Sequence, residues 1–300
     1  MSGLVLRALA WMIGLLPFTA LPRLGDVLAF LACDVLRIRR AHVRSALARA
    51  SLSIAPREVY RQLGASLLEL LWLSARPNED LGRLVRIEGL ERFEAARALG
   101  RGVIVATAHT GNWDLAACAC AIRAPLSVVT KRLSSRSLDA FWQETRRARG
   151  VDLVPAPDGG VFRALTARLT AGGAVALLVD QDPERTTSVV SAPFLGAVAL
   201  HDTLPATVSA RTGAPIVVAF ARRAFDGHVV EIVDVIEPPV DRGSIAVATR
   251  RIAAALDAYV RAAPETWLWL HRRWKTQLEP ALHTSSLDPD PASRCVRSAR

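Results

Sequence analysis

The chain has 300 residues, of which 51% are hydrophobic and 22% are charged; this excludes general disorder, because so much apolar material can bury a sizeable core. The net charge of +10 comes mostly from arginine, since only Lys131 and Lys275 are lysines, and it suits anionic partners such as nucleic acid, phospholipid headgroups or a phosphate-bearing substrate. The four cysteines form no Cys-x-x-Cys pair, so their spacing predicts neither a zinc site nor a disulfide framework.

The amino-terminal segment is apolar, but its longest uncharged run, from Ala8 to Pro22, has 15 residues, fewer than the ~20 that a membrane-spanning helix needs. Between Asp34 and Glu58 there are six arginines and no acidic residue. An apolar segment followed by a basic helix is typical of a chain attached to an anionic leaflet. We therefore predict that residues 1–50 form a helical membrane-attachment segment, which either makes one short span or lies in the interface. A buried helical hairpin with a solvated basic face is the alternative.

Residues 58–75 have the periodicity of a helix with a strongly apolar face. From about residue 100, short aliphatic runs alternate with helical patterns. The predicted strands are 102–108, 126–129, 174–180, 215–220 and 228–236, and the predicted helices are 112–122, 137–149, 160–171, 203–212 and 245–262. This alternation predicts a mixed, largely parallel α/β sheet flanked by helices on both faces. We expect one α/β domain over 51–280 and a loose, polar tail over 281–300.

The stretch "ATAHTGNWDLAA", residues 106–117, joins a predicted buried strand to a predicted helix. Gly111 would supply the turn, Asn112 the helix N-cap, and Asp114 a carboxylate in the first helical turn. A break between strand and helix would let His109 meet Asp114 outside the carboxyl end of a strand, where open α/β sheets bind ligands. The pair suits general-base catalysis, because a carboxylate on one imidazole nitrogen leaves the other free to take a proton from an alcohol. A lone His-x4-Asp spacing is a weak signal, however, and from the spacing alone a capping role for Asn112 and Asp114 beside a turn histidine is favoured.

Other chemistries find less support in the sequence. There is no Gly-x-Ser-x-Gly elbow, no phosphate-binding loop and no dinucleotide-binding glycine fingerprint. Asp180 and Asp182 end a predicted strand and could ligate a metal, but no histidine-rich partner set accompanies them. The basic charge would suit nucleic acid, yet the chain contains no recognised nucleic-acid-binding module. We therefore predict neither a metal site nor a nucleic-acid partner.

Several blocks resemble, in order, those of the bacterial lipid A late acyltransferases, the lauroyl/myristoyl transferase family to which the phosphatidylinositol mannoside acyltransferases are related. "ATAHTGNWDLA" resembles the His-x4-Asp/Glu block of that family, and the resemblance covers roughly residues 5–276. The further blocks are "VVTKRLSSRSLDAFWQETRRARGVDLVP", "GGAVALLVDQD", "APFLG" followed by "ARTGAPIVVAF", and "PETWLWLHRRWK" at 264–275.

This resemblance implies a glycerolipid-acyltransferase-like fold and a membrane-associated O-acyltransferase on the cytoplasmic face of the bacterial inner membrane. Such an enzyme moves a fatty acyl chain from a thioester of acyl carrier protein or coenzyme A to a hydroxyl of a lipid acceptor, such as a lipid A precursor, without a bound cofactor. His109 would be the general base and Asp114 would orient it. A phosphatidylinositol mannoside or another lipid remains possible as acceptor, as does a catalytically silent lipid-binding protein of the same fold.

The resemblance also implies a set of substrate-binding candidates. They are Asn112, Lys131, Arg132, Asp180, Asp182, His271, Arg272 and Arg273. Lys131 or Arg132 would stabilise an oxyanion or bind phosphate, but the family has arginine followed by proline here, so the matching residue stays open. The two aspartates would shape the site or close a strand-end turn.

The last three candidates, 271–273, have two alternative roles. They would either bind an acceptor phosphate or form a structural clamp under Trp267 and Trp274. The chain also departs from the family at His201 and Asp202, where the family often has threonine and proline. That difference leaves the acceptor contacts of this segment open.

Overall fold

The structure is a computed structural model that describes residues 3–77, 79–156, 160–184 and 187–275. The tail predicted at 281–300 lies outside these residues, and the domain boundaries at 50 and 280 remain predictions. Ahead of the sheet, the chain forms the helices α1 (Gly3–Gly14), α2 (Leu21–Ala29), α3 (Arg40–Arg49) and α4 (Pro56–Ala75). A π-helical segment, Phe30–Val35, continues α2.

Helices α1 and α2 pack against α4, and glycines permit the closest approach. A Cβ on Gly25 of α2 would lie 2.7 Å from the backbone nitrogen of Ala65, and a Cβ on Gly64 of α4 would lie 2.9 Å from the oxygen of Gly25. Any larger side chain at either position would push the two helices apart. Among the described residues, no single helix is long and apolar enough to cross a bilayer. Helix α1 and the helical stretch 18–35 together have the length and composition of a span, but a bend of 104° lies between them.

Among the described residues, seven strands form one mixed sheet in the order β1-β9-β8-β2-β5-β3-β4. Every neighbouring pair is parallel except β8 and β9. A separate antiparallel hairpin consists of β6 (Val189–Phe194) and β7 (Ala197–Asp202). The strands of the sheet are β1 (Val85–Glu88), β2 (Val103–Thr107), β3 (Leu126–Thr130), β4 (Val151–Pro155), β5 (Ala174–Leu178), β8 (Ile216–Ala224) and β9 (Gly227–Ile236).

Helices cover both faces of the sheet, because alternate strand residues face opposite sides. Ile104 and Val175 join one core with α8, α9 and α10, whereas Val103 and Ala174 join a second core with α5 and α6. The helices that follow β1 are α5 (Leu90–Ala98), α6 (Trp113–Ala121), α7 (Arg136–Ala148), α8 (Val161–Thr170), α9 (Leu204–Thr212) and α10 (Arg242–Ala262). The prediction of a mixed, largely parallel sheet flanked by helices is confirmed.

The topology places several chain reversals at one edge. Strands β2, β3 and β5 run in the same direction and in close register, so their carboxyl ends lie together. The segments that follow them begin near His109, Lys131 and Asp180. Open α/β sheets bind their ligands at this edge. The predicted site residues His109, Lys131 and Asp180 therefore follow strands that end at the same edge of the sheet.

Candidate active site

The loop from His109 to Asn112 joins β2 to α6 in a conformation that its residues specify. Gly111 has φ +55, and a Cβ there would lie 2.7 Å from the carbonyl oxygen of Ala221, so only glycine fits. The side-chain oxygen of Asn112 accepts a hydrogen bond from the backbone N–H of Leu115 at 3.0 Å. The predicted N-cap is therefore confirmed.

His109 is held by Asp180, which follows the neighbouring strand β5. Nδ1 of His109 lies 2.9 Å from Oδ1 of Asp180, and the backbone N–H of His109 donates to Oδ2 at 3.2 Å. The indole of Trp267 donates to the same oxygen at 2.9 Å. Because an ionised carboxylate can only accept, Nδ1 carries the proton of this contact, and in the neutral imidazole Nε2 is then the acceptor.

The carboxylate of Asp180 is completely buried yet ionised. Burial alone would raise its pKa, but the charge of His109 and the hydrogen bonds from His109 and Trp267 outweigh burial and lower the pKa to about 2. A fixed negative charge next to an imidazole stabilises the imidazolium that forms when His109 accepts a proton. The pair thus has the electrostatics of a general base and the group that orients it.

The expectation that Asp114 orients His109 is wrong for this structure. Asp114 does lie in the first turn of α6, but its Oδ1 is 2.6 Å from Nη2 of Arg146 and its Oδ2 accepts from the indole of Trp142 at 2.9 Å. The physical reason is that α6 turns this residue toward α7. The carboxylate that binds the imidazole of His109 comes from a different strand end.

The carboxyl-terminal segment 264–269 fixes the His109 loop from the other side. Thr110 forms an antiparallel bridge with Trp267, and Leu268 donates its N–H to the carbonyl of His109 at 3.0 Å. The N–H of Gly111 donates to the carbonyl of Thr266 at 2.8 Å. The loop is therefore built into a short sheet-like contact rather than left at the surface.

A second histidine, His271, lies against the first. The two imidazole rings are 5.0 Å apart in an edge-to-face arrangement. Burial, followed by the nearby charge of His109, lowers the pKa of His271 to about 4, so its ring is neutral near pH 7. Its carbonyl lies 3.0 Å from the ring of His42, and Arg39 donates to the carbonyl of Leu270 at 2.8 Å. Arg39 and His42 therefore hold the backbone of the segment that carries His271.

The neighbouring candidates in the sequence separate into different roles. Arg273 is completely buried, donates to the carbonyl of Leu200 at 2.6 Å and lies 3.7 Å from Asp182, so its guanidinium is engaged inside the protein. Burial lowers the pKa of Arg273 to about 10. Arg272, by contrast, is exposed at the surface.

The candidates after β3 lie at the protein surface. Lys131 is exposed and forms an ion pair with Glu184 at 2.8 Å, and Arg132 is exposed beside it. Asn112 is buried, and its side chain is taken up by contacts within the protein. The structure therefore brings together His109, Asp180 and His271, while Asn112 and Arg273 are buried and bonded to other residues of the protein. Among the described residues, no group of three or more His, Cys, Asp and Glu side chains could hold a metal ion.

An apolar cavity of about 1000 Å³, which includes its open mouth, lies between the sheet and helices α5 and α6. Thr107 and Trp113, which flank His109 in the chain, form part of its wall, and the Trp113 ring is 5.0 Å from that of His109. Ala174 and Ala176 of β5 supply small side chains to the cavity wall. The cavity is therefore an apolar space whose wall includes a residue in ring contact with His109.

Comparison with known proteins assigns the chain to a family. The model of the bacterial lipid A biosynthesis acyltransferases matches residues 4–276, nearly the whole chain. The chain belongs to this family. It is an acyltransferase, and the family resemblance predicted from the sequence blocks is confirmed.

Three relatives illustrate the range of the family. The phosphatidylinositol mannoside acyltransferase of Mycolicibacterium smegmatis is 26% identical over 213 residues, which are 70% of this chain and 69% of that protein. The lipid A biosynthesis palmitoleoyltransferase of Escherichia coli is 27% identical over 225 residues, 73% of this chain and 71% of the relative. The lipid A biosynthesis lauroyltransferase of Escherichia coli is 23% identical over 281 residues, 90% of each chain.

Sequence reasoning missed two features of this candidate site. Trp267 was expected only above a clamp, yet its indole binds Asp180 directly. Glu69 of α4 was not singled out, although it is fully buried and binds Asn112. A charged residue within the apolar face "LLELLW" was a usable signal, because a carboxylate in such a position needs a partner.

Proposed function

We propose that this protein transfers a fatty acyl chain from an acyl thioester, of acyl carrier protein or coenzyme A, to a hydroxyl of a membrane glycolipid. The observation that carries the proposal is the His109–Asp180 hydrogen bond of 2.9 Å beside an apolar cavity. The acceptor is a lipid A precursor or a phosphatidylinositol mannoside, the two classes that the names of the relatives contain.

In the proposed reaction, Nε2 of His109 takes the proton of the acceptor hydroxyl while Asp180 stabilises the resulting imidazolium. The acceptor oxygen attacks the thioester carbonyl carbon and forms a tetrahedral oxyanion. When this intermediate collapses, the carbon–sulfur bond breaks, the ester remains, and His109 returns its proton to the departing thiolate. Arg132 is our candidate donor to the oxyanion, because Glu184 already engages Lys131.

The apolar cavity is the proposed site of the acyl chain. Apolar side chains from the sheet, α5 and α6 line nearly all of it, so a hydrocarbon chain would replace water there favourably. Trp113 and Thr107 would contact the first carbons, since both residues line the cavity and lie on either side of His109 in the chain. Ala176 and then Ala174 would contact carbons farther along.

We also propose that the first two helices lie in the interface of an anionic bilayer at the cytoplasmic face of the inner membrane. Their outward faces expose a run of large apolar side chains, which are Leu4, Trp11, Met12, Leu15, Leu24, Val27, Phe30 and Leu31. Arginines follow in the chain, and Arg37 and Arg44 are exposed. Apolar insertion combined with contacts to lipid phosphates is the expected basis of attachment.

The test is mass spectrometry of total lipids from a deletion strain complemented with the wild-type protein or His109→Ala. We expect one lipid class to lose a single acyl chain on deletion and only the wild type to restore it. The unfolding temperature and vesicle binding of the variant should match those of the wild type, which makes the loss one of chemistry. Restoration of the lipid by His109→Ala would overturn the general-base assignment, and an unchanged lipid profile on deletion would favour a silent lipid-binding protein.

A further inference from the structure

A buried carboxylate lies behind the His109 loop, outside the proposed reaction. Glu69 of α4 is completely buried, and its Oε2 accepts hydrogen bonds from Nδ2 of Asn112 at 2.9 Å and from Nε2 of His228 at 2.9 Å. Its Oε1 accepts from Nη1 of Arg223. The four residues come from α4, the His109 loop and the strands β8 and β9, so the cluster joins three parts of the fold.

Burying this charged cluster has a desolvation cost that an apolar core would not have. Burial raises the pKa of Glu69, but the hydrogen bond and charge of His228 and the charge of Arg223 lower it to about 2, so the carboxylate is ionised. Well-packed apolar side chains commonly stabilise a core as well as a buried ion pair does. What an apolar replacement could not supply is a directed hydrogen bond to the amide of Asn112.

Asn112 transmits that hydrogen bond to the catalytic loop. Its Oδ1 caps α6 at Leu115 while its Nδ2 donates to Glu69, so both ends of one short side chain are fixed. Ser66, one helical turn before Glu69, adds a weaker contact at 3.4 Å to the carbonyl of Gly111. His109 begins the same four-residue loop, and its ring must meet the reacting oxygen within fractions of an ångström.

We propose that Glu69 is a positioning residue for His109, acting through Asn112, with Arg223 and His228 as the cationic and hydrogen-bonding partners that keep its carboxylate in place. The inference rests on the proposed function of His109 as general base. It assigns to α4, a helix against which the membrane-facing helices pack, a direct share in the geometry of the active site.

The test separates positioning from stability with three variants. Asn112→Ser keeps a capping oxygen for α6 and removes the link to Glu69, whose other two partners remain. Glu69→Gln removes the charge. Asp241→Ala is the matched control, because it deletes the N-cap of α10, whose side chain accepts from Ser244 N–H at 2.7 Å, at an expected cost of similar size far from the loop.

Activity is measured with radiolabelled palmitoyl thioesters of coenzyme A and of acyl carrier protein, with lipid extract of the deletion strain as acceptor. We expect Asn112→Ser and Glu69→Gln each to lower kcat by about 10- to 100-fold with little change in KM. The kcat of the double variant should be no lower than that of the slower single variant, because both changes act on the same hydrogen bond between Asn112 and Glu69. Asp241→Ala should leave kcat unchanged despite a comparable fall in the unfolding temperature.

The inference would be overturned if Asn112→Ser had the same kcat as Asp241→Ala. It would also be overturned if the losses of kcat in the two single variants multiplied in the double variant. If Glu69→Gln does not fold, Asn112→Ser alone decides, since it leaves no buried charge without a partner. His109→Ala is measured in parallel. An active His109→Ala would refute the proposed function itself, whereas an inactive His109→Ala beside a fully active Asn112→Ser would refute only the role of Glu69.

Discussion

Arg146 and Asp114 form an ion pair of 2.6 Å in the wall of the apolar cavity, and their side chains are only 14% and 5% exposed. The motif that suggested catalysis therefore contributes one residue to the imidazole site and another to the cavity wall. Trp142 donates to the second oxygen of Asp114 and completes its hydrogen bonding. This division of the motif has direct experimental consequences.

Replacing Asp180 and Asp114 by asparagine should affect catalysis very differently. Asp180→Asn removes the acceptor for Nδ1–H of His109 and favours the wrong tautomer, so we expect kcat to fall by roughly 10²- to 10⁴-fold. Asp114→Asn leaves the guanidinium of Arg146 without a counter-charge and should cost about 3–5 kcal/mol of unfolding free energy. Steady-state kinetics and urea unfolding on both variants measure the difference; a larger kcat loss in Asp114→Asn would contradict the assignment.

Filling the cavity should shorten the preferred acyl chain in a graded way. Ala176 and Ala174 face the cavity from β5, and Ala174 lies farther from the active-site edge by about 7 Å. Ala176→Leu should shift the preference to shorter chains more strongly than Ala174→Leu. Competition among saturated thioesters of stepped chain length measures the shift.

Val175→Ile is the control for the cavity variants, since this side chain faces the opposite core. It should change stability without changing chain-length preference. An unchanged preference in both alanine variants would mean that the acyl chain binds elsewhere.

His201 should make the protein less stable in acid. Burial, followed by the charge of Arg273, lowers its pKa from 6.5 to about 3. The unfolded chain therefore binds one more proton between these pH values, and the free energy of unfolding rises with pH across that window by up to ~1.4 kcal/mol per pH unit.

His201→Asn keeps an acceptor for Arg273, which lies 3.2 Å from Nδ1 of the histidine, and removes the titrating group. We expect urea unfolding of this variant to show a shallower pH dependence between about pH 3 and 6.5 than the wild type. Equal slopes for the two proteins would show that His201 is not the buried neutral group that we infer.

The exposed apolar face should govern vesicle binding. Trp11 and Leu15 are 64% and 63% exposed, so Trp11→Ser with Leu15→Ser removes apolar contact area without disturbing the core. We expect at least ~10-fold weaker binding to phosphatidylglycerol vesicles, measured by co-sedimentation. Leu99→Ser with Ile122→Ser removes exposed apolar side chains elsewhere and should bind normally. Equal losses in both pairs would argue against a defined membrane face.

Much of the fold follows from local sequence patterns. The helix predicted at 58–75 is α4, and the strand predicted at 102–108 is β2, because both have long or continuous apolar patterns. Strand β1 was missed, since four residues carry too little periodicity. The β6–β7 hairpin was also missed, because it pairs outside the main sheet.

The site was predictable only as far as its interactions are local. The N-cap at Asn112 and the turn at Gly111 depend on neighbouring residues, and the sequence indicated both. The partner of His109 depends on β2 lying beside β5, which no single sequence specifies. Asp114 and Asp180 both had the right chemistry, and distance along the chain favoured the wrong one.

Because Thr110 forms a bridge with Trp267, the site can be completed only late in the synthesis of the chain. At bacterial translation rates, the ribosome needs on the order of ten seconds to progress from the first of these residues to the second. Throughout that interval the nascent chain already carries its apolar first helices but lacks the segment that secures His109. A chain cut short before residue 264 could therefore reach a bilayer while the proposed catalytic loop still lacks the backbone contacts that hold it in place.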